Sequence, residues 1–207
     1  MRLGIFSDIH CNIAGFRKGL ELIGRVDEIW CAGDSVFQYR WSNDVVALLR
    51  ELDARVVLGN HEDTILGRDG VRAIAAPTVD PGLVEWMRAQ PYRREGEVDG
   101  KQLLMIHGSP WEPWDEYHYP HESIWERAGD LGCDVLIVGH THFQMGKKYG
   151  RCLVINPGSA GDARDPNNEY QLSCAVYDTT IDEVTFYDYQ DPARVAAAAT
   201  RQAAVPR

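Results

Sequence analysis

The sequence has no apolar run approaching the ~20 residues that a membrane-spanning helix requires. It opens Met1-Arg2-Leu3-Gly4-Ile5-Phe6-Ser7-Asp8, and the aspartate falls where a secretory signal would continue its apolar stretch. Basic residues are scarce: 21 Lys and Arg stand against 31 Asp and Glu, a formal net charge of −10. A nucleic-acid backbone demands Lys and Arg, so duplex nucleic acid is excluded as a partner. A disulfide framework is also lacking. The 5 cysteines are odd in number and share no CxxC spacing, so they read as reduced, mostly core side chains. Among them Cys11 stands apart because it follows His10. There is no internal repeat, no low-complexity segment and no linker long enough to divide the chain. These absences leave a globular protein, expected in the cytoplasm and away from membranes. It could hold an anionic small molecule if bound cations supplied the positive charge. The expected division is a single domain over residues 1–190 and an Ala-rich tail or helix over 191–207.

What is present is an alternation. Apolar runs at 3–6, 28–32, 55–58, 103–106, 135–138 and 153–155 are short and bounded by Gly or polar residues, as in strands buried on both faces. Between them, 12–24, 43–52 and 122–131 carry helical spacing, and Asn12 and Asn43 are the expected N-caps of the first two. This order predicts a mostly parallel sheet with right-handed crossovers. After Gly139, the runs 145–149, 151–155, 171–177 and 183–189 read as consecutive strands. They predict a second, more antiparallel sheet packed on the first.

Every long apolar run ends in the same way. The first leads into Ser7-Asp8-Ile9-His10, the second into Gly33-Asp34 and the third into Gly59-Asn60-His61-Glu62. The fourth leads into His107-Gly108-Ser109 and the fifth into Gly139-His140-Thr141-His142. In open α/β sheets the carboxyl ends of strands share one edge, and ligands bind there. Five segments therefore bring Asp, His and Asn side chains to one rim. Asp8 and His10 are two apart, as are His140 and His142, and in extended backbone such pairs point to one side. Two carboxylates, an amide oxygen and four imidazoles are too many for one tetrahedral zinc. They suit two first-row divalent cations with mixed oxygen and nitrogen ligands, bridged by one carboxylate.

With those motifs in order, the sequence resembles the calcineurin-like metallophosphoesterases, in particular the short single-domain bacterial and archaeal members. The resemblance runs from Asp8 to the Asn156-Pro157-Gly158-Ser159 turn. It implies two packed mixed β-sheets flanked by helices, a four-layer αββα sandwich. It also implies two divalent cations, manganese being the expected one and iron, nickel, zinc, cobalt and magnesium the alternatives. One cation would be held by Asp8, His10, Asp34 and His142, the other by Asp34, Asn60, His107 and His140. His61 would then be catalytic without being a ligand, facing the substrate phosphate beside Asn60 and stabilising or protonating the leaving group. The implied activity is phosphodiester hydrolysis with some phosphomonoesterase activity, a metal-bridging hydroxide serving as nucleophile. One departure stands out. Protein phosphatases of this superfamily place an aspartate three residues after the first Asp of Gly-Asp-x-x-Asp-Arg-Gly, to orient the catalytic His; here that place is Phe37. That subclass is therefore not expected, and the partner of His61 is left open. Glu62 and Asp63 are set aside, because sequence neighbours point apart.

The expected substrate is a small phosphorylated molecule, nucleotide-like in one reading. Aromatic segments at 37–41 and 111–119 flank the motifs, as a hydrophobic lid or a homo-oligomer contact in preference to a stacking surface. Arg164 is a candidate for substrate phosphate, set against the plainer reading of a surface arginine. Cations near the rim are few: Arg40, Arg68 and Arg164. The competing class is a protein-interaction scaffold on the same fold that has lost its metals. An eroded ligand set would mark it, and here no ligand position is missing.

Overall fold

The structure is a computed structural model and describes residues 1–203, with side chains to residue 198. Along the chain run β1 (Arg2–Phe6), α1 (Ile13–Ile23), β2 (Glu28–Cys31), α2 (Asn43–Glu51) and β3 (Arg55–Val56). Then come α3 (Asn60–Leu66), α4 (Val71–Ile74), α5 (Pro81–Arg88), β4 (Arg93–Val98) and β5 (Lys101–Ile106). A 3-10 segment at Ser123–Asp130 leads to β6 (Val135–Ile137), β7 (Gln144–Tyr149) and β8 (Cys152–Pro157). The chain closes with β9 (Leu172–Asp178), β10 (Glu183–Tyr189) and α6 (Pro192–Ala203). Of the expected tail or helix over 191–207, residues 204–207 lie outside the described residues.

The strands form two five-stranded sheets, ordered β10-β9-β1-β2-β3 and β4-β5-β6-β8-β7. The two packed mixed sheets implied by the resemblance are present, whereas the expected split into a mostly parallel and a more antiparallel sheet does not hold. In the first sheet β1, β2 and β3 are parallel while β9 and β10 join antiparallel. In the second, β5, β6 and β8 are parallel between antiparallel edges β4 and β7. Both sheets are mixed because a parallel block is extended by antiparallel hairpin strands, at one margin of the first sheet and at both margins of the second.

Side-chain alternation explains why the central runs are unbroken. Along β5, Leu103 and Met105 face the space between the sheets while Leu104 and Ile106 face the outer layer. Along β1, Leu3 and Ile5 point inward and Phe6 packs under the helices. Strands covered on both faces need apolar residues at every position. Trp30 and Tyr177, at 1% and 0% exposure, fill the middle layer, each burial being worth about 1.5–3 kcal/mol. The outer face of the second sheet is closed by Trp125, whose indole N–H donates to the Tyr119 carbonyl at 3.1 Å.

Local signals are followed with two exceptions. The Asn12 side chain accepts from the Gly15 N–H at 2.9 Å and caps α1 as expected. The second helix is capped by Ser42, not Asn43, which becomes its first residue. The stretch expected as a helix at 122–131 is 3-10 over Ser123–Asp130, with Trp125 and Ala128 three apart on its buried side. The segment 60–98 holds α3, α4, α5 and β4, none of them anticipated. Helix α5 starts on an Asp80 cap with Pro81 in its first turn.

Helix α1 lies close to the first sheet because Gly19 has no side chain. A Cβ there would stand 2.7 Å from the Phe6 ring and 2.8 Å from the Tyr189 hydroxyl. In an ordinary helix interior, Gly→Ala stabilises by about 1 kcal/mol. Here the collision reverses the sign: Gly19→Ala is expected to lose about 1–3 kcal/mol, read as a lower Tm. A higher Tm would contradict this packing.

Candidate metal centre

The carboxyl ends of β1, β2, β5 and β6, together with the start of α3, meet at one rim. The pairs Asp8/His10 and His140/His142 converge there, but not through extended backbone. Asp8, His10, Asp34, His140 and His142 have φ of 52°, 48°, 52°, 68° and 63°, in the left-handed region. Such a conformation costs about 1–3 kcal/mol at a non-glycine residue and persists where its surroundings over-determine it. Here they do: the N–H groups of Asp8 and His10 donate to the carbonyls of Gly33 and Asp34, each at 3.0 Å. Asn60 and His61, which follow the third apolar run, lie in the first turn of α3. Their approach to Asp34 requires Gly59, since a Cβ there would collide with Asp34 Oδ1.

Each donor is held by one atom and presents another. Asp8 Oδ2 accepts from the Ser7 hydroxyl at 2.6 Å and the His140 N–H at 3.0 Å, whereas its Oδ1 is buried without a hydrogen bond. Asp34 Oδ1 accepts from the His61 N–H at 2.9 Å, and its Oδ2 faces His107 Nε2 at 3.2 Å. Three imidazoles donate outward to carbonyls: His107 Nδ1 to Ala32 at 2.6 Å, His142 Nδ1 to Asp162 at 2.5 Å and His140 Nε2 to Asp115 at 3.0 Å. Such bonds fix the tautomer and turn the other nitrogen's lone pair inward. His140 Nδ1 then lies 3.1 Å from His107 Nε2, which is 3.2 Å from Asn60 Oδ1. His142 Nε2 lies 3.1 Å from both His10 Nε2 and Asp8 Oδ1. Lone pairs facing one another repel unless a proton or a cation stands between them. This donor set fits divalent cations.

The protonation equilibria of the protein alone have the same origin. Burial opposes charge on His107, but the facing Asp34 carboxylate outweighs it and raises the imidazolium pKa to about 10. His142 is raised as well, Asp8 overcoming burial, whereas burial prevails at His10 and His140 and takes both to about 4. For Asp8 and Asp34, burial is outweighed by His142 and His107 respectively, and both carboxyls are lowered.

Three groups have ligand atoms close enough to share an ion: Asp8, His10 and His142; Asp34, His107 and His140; and His10, Asp34 and His61. These groups contain six of the seven residues proposed as ligands from the sequence, and the seventh, Asn60, joins them through its Oδ1 beside His107 Nε2. His61 differs from them. Its Nδ1 accepts from the Gln38 main-chain N–H at 2.9 Å, which puts the ring proton on Nε2, 3.6 Å from Asp34 Oδ2. It offers a donor to the centre where the others offer lone pairs. Gln38 is the partner left open by the sequence, and a backbone donor carries no residue-type signal. Phe37, standing in place of an orienting aspartate, packs its ring 4.7 Å from that of His61.

Glu62, set aside on sequence grounds, has a structural task. Fully buried, its carboxylate accepts from the N–H groups of Asp34 and Gly59 at 2.8 Å and of Val36 at 2.9 Å. Burial and Asp34 push its carboxyl up to about 7 against those bonds. Arg164 makes a double contact with Asp162 at 2.7 and 2.9 Å, and Arg40 donates to the His10 carbonyl at 2.8 Å. The aromatic segments divide. Phe37 and Tyr117 cover histidines, Tyr117 stacking on His140 at 3.7 Å, while Trp111 packs 5.8 Å from Trp125.

A two-sheet sandwich with such a donor set at its rim is the framework of a metal-dependent hydrolase, and similarity to known proteins narrows the class. A model of the calcineurin-like phosphoesterase superfamily domain matches residues 1–182. A crystal structure of a metallophosphoesterase from Sphaerobacter thermophilus aligns with a TM-score of 0.77 and 26% identity, covering 100% of this chain and 95% of that one. A phosphodiesterase of Methanocaldococcus jannaschii is 27% identical over 76% of this chain and 83% of its own. A symmetrical bis(5′-nucleosyl)-tetraphosphatase of Shewanella loihica is 29% identical over 54% of this chain and 43% of its own. The chain belongs to the calcineurin-like phosphoesterase superfamily. It is accordingly a metal-dependent phosphoesterase.

Glu62→Gln tests the staple at the Asp34 loop. An amide replaces one acceptor oxygen with a donor facing a main-chain N–H. The variant is expected to lose about 1–3 kcal/mol in thermal unfolding and to bind less metal. Unchanged stability and metal content would remove Glu62 from this role.

Proposed function

We propose that the protein hydrolyses small phosphate diesters, with lesser action on monoesters, using two divalent cations. The observation that carries the reading is the Asp34 carboxylate, which belongs to a donor group on either side of it. One cation would be held by Asp8, His10, Asp34 and His142 and the other by Asp34, Asn60, His107 and His140, so that Asp34 would serve both. Manganese is the expected ion, its taste for oxygen matching two carboxylates and an amide beside the imidazoles. When bound, such a pair supplies an activated water and neutralises phosphoryl charge. The functional unit is taken as residues 1–190.

The remaining work falls to the chain itself. Burial lowers the pKa of His61, and the Gln38 N–H holds it as the neutral Nε2–H form. A neutral imidazole of this tautomer gives a hydrogen bond to a phosphoryl or leaving oxygen without giving up its proton. Asn60, one residue away, would orient the same phosphoryl group. The two nearby arginines are engaged, Arg164 by Asp162 and Arg40 by the His10 carbonyl. Little positive charge is left over for the second negative charge of a monoester, which favours diesters. The phosphodiesterase name of the Methanocaldococcus relative points the same way. A metal-free scaffold would show an eroded ligand set, and here every ligand position is filled.

Asp34→Asn is expected to lose much of its metal and nearly all hydrolysis while keeping its fold; metal analysis showing two ions and normal activity would refute the bridge. His61→Ala is expected to keep its metal and lose about 10²–10³-fold in kcat, the range for one oxyanion donor. Loss of metal in that variant would make His61 a ligand. Matched aryl monoester and diester substrates, with metals added singly to stripped protein, test the substrate class. A monoester kcat/KM tenfold above that of the diester would overturn the diester preference.

A further inference from the structure

A cleft of about 540 Å³ opens beside the centre, beginning at Asn60 and His107. Its lining includes Tyr92 and Trp114, 48% and 57% exposed, and three exposed acidic residues, Asp63, Glu112 and Asp115. Among the described residues no Lys or Arg lines it, and none of the three carboxylates has an ion-pair partner. Asp63 accepts a hydrogen bond from the Tyr92 hydroxyl at 2.6 Å. The wall is fastened to the centre: the Asp115 carbonyl accepts from His140 Nε2 at 3.0 Å, and the Trp114 carbonyl from the Ser109 N–H at 2.8 Å. Whatever occupies the cleft is therefore registered against the candidate ligands.

We infer that this cleft takes the organic group of the diester and selects a cationic one, a quaternary or protonated ammonium on a small water-soluble ester. The inference rests on the phosphodiesterase reading above. The volume lies within the ~300–1,000 Å³ of small-ligand sites, enough for a small organic substituent. Aromatic faces attract ammonium groups. Unpaired carboxylates on the walls of a concave site concentrate negative potential in it. A polyphosphate chain, as in the substrate named for the Shewanella relative, would set its own negative charges against those walls. A neutral group would fill the space without using the charge.

Three para-nitrophenyl phosphodiesters separate these cases on the metal-loaded full chain: the choline ester, its neutral carbon isostere the neohexyl ester, and an anionic carboxypropyl ester. The choline ester is expected to exceed the neohexyl ester by about tenfold in kcat/KM, with the carboxypropyl ester slowest. In Glu112→Gln and in Asp63→Asn the choline-to-neohexyl ratio should fall towards one. Equal rates for the first two esters, a faster anionic ester, or a ratio indifferent to both variants would overturn the inference. Phosphatidylcholine vesicles present the same group on a membrane, and turnover matching the soluble ester would overturn the soluble assignment. Saturation-transfer NMR with choline and neohexanol reads the cleft without chemistry: choline should bind, neohexanol should not, and Trp114→Ala should abolish the signal. If no ester is cleaved with any metal, the phosphodiesterase reading fails, and choline binding still decides whether the cleft selects cations. Absence of choline binding overturns the inference whatever the hydrolysis.

Discussion

Two carboxylates, Asp8 and Asp34, are buried to 0% and 2% exposure within one small volume, and the rest of the molecule is organised around making that tolerable. Burying a charge costs several kcal/mol unless it is paired and hydrogen-bonded. Neither sheet could compensate both alone. Asp8 leans on a hydroxyl from its own strand end and a main-chain N–H from the loop after β6. Asp34 leans on the start of α3 and faces an imidazole from the end of β5. The sheets must therefore stack with their strand ends level. The inward and outward apolar rows of β1 and β5 enforce that stacking.

The same need accounts for the odd backbone at the rim. A regular strand end would continue its side-chain alternation and spread Asp8 and His10 apart in depth. A left-handed residue turns the chain sharply instead. Glu62 holds the turn at Asp34 by collecting main-chain N–H groups that would otherwise be buried without partners. It stabilises the centre without touching substrate or metal-facing atoms.

Much of this was legible in the sequence, for a physical reason. Strands buried on both faces leave unbroken apolar runs, and metal-type side chains at their ends are chemically distinctive, so Asp8, Asp34, Asn60 and the five rim histidines stood out. What was not legible lacked such marks. The segment Arg93–Val98 has the burial of an edge strand, with Arg and Glu at most positions, and nothing in it resembles a core strand. Pairing of β9 with β1 joins residues far apart in the chain, and local pattern carries no information about it. The Gln38 N–H, like any main-chain group, is the same at every residue. Asn43 and Ser42 are both good caps, and only backbone geometry chooses between them.

The rim also has a mechanical side. Its donors come from the ends of β1 and β2 in one sheet and of β5 and β6 in the other, so any ion they share is a clasp between two leaves. Elsewhere the leaves are joined by the apolar middle layer and, at the opposite end, by Lys101 and Lys148 paired with Asp182. Ion occupancy would forbid sliding at the rim, and a ligand that binds only the closed arrangement adds to its stability by mass action. The edge where chemistry occurs would thus be stiffer when loaded than when the ion departs.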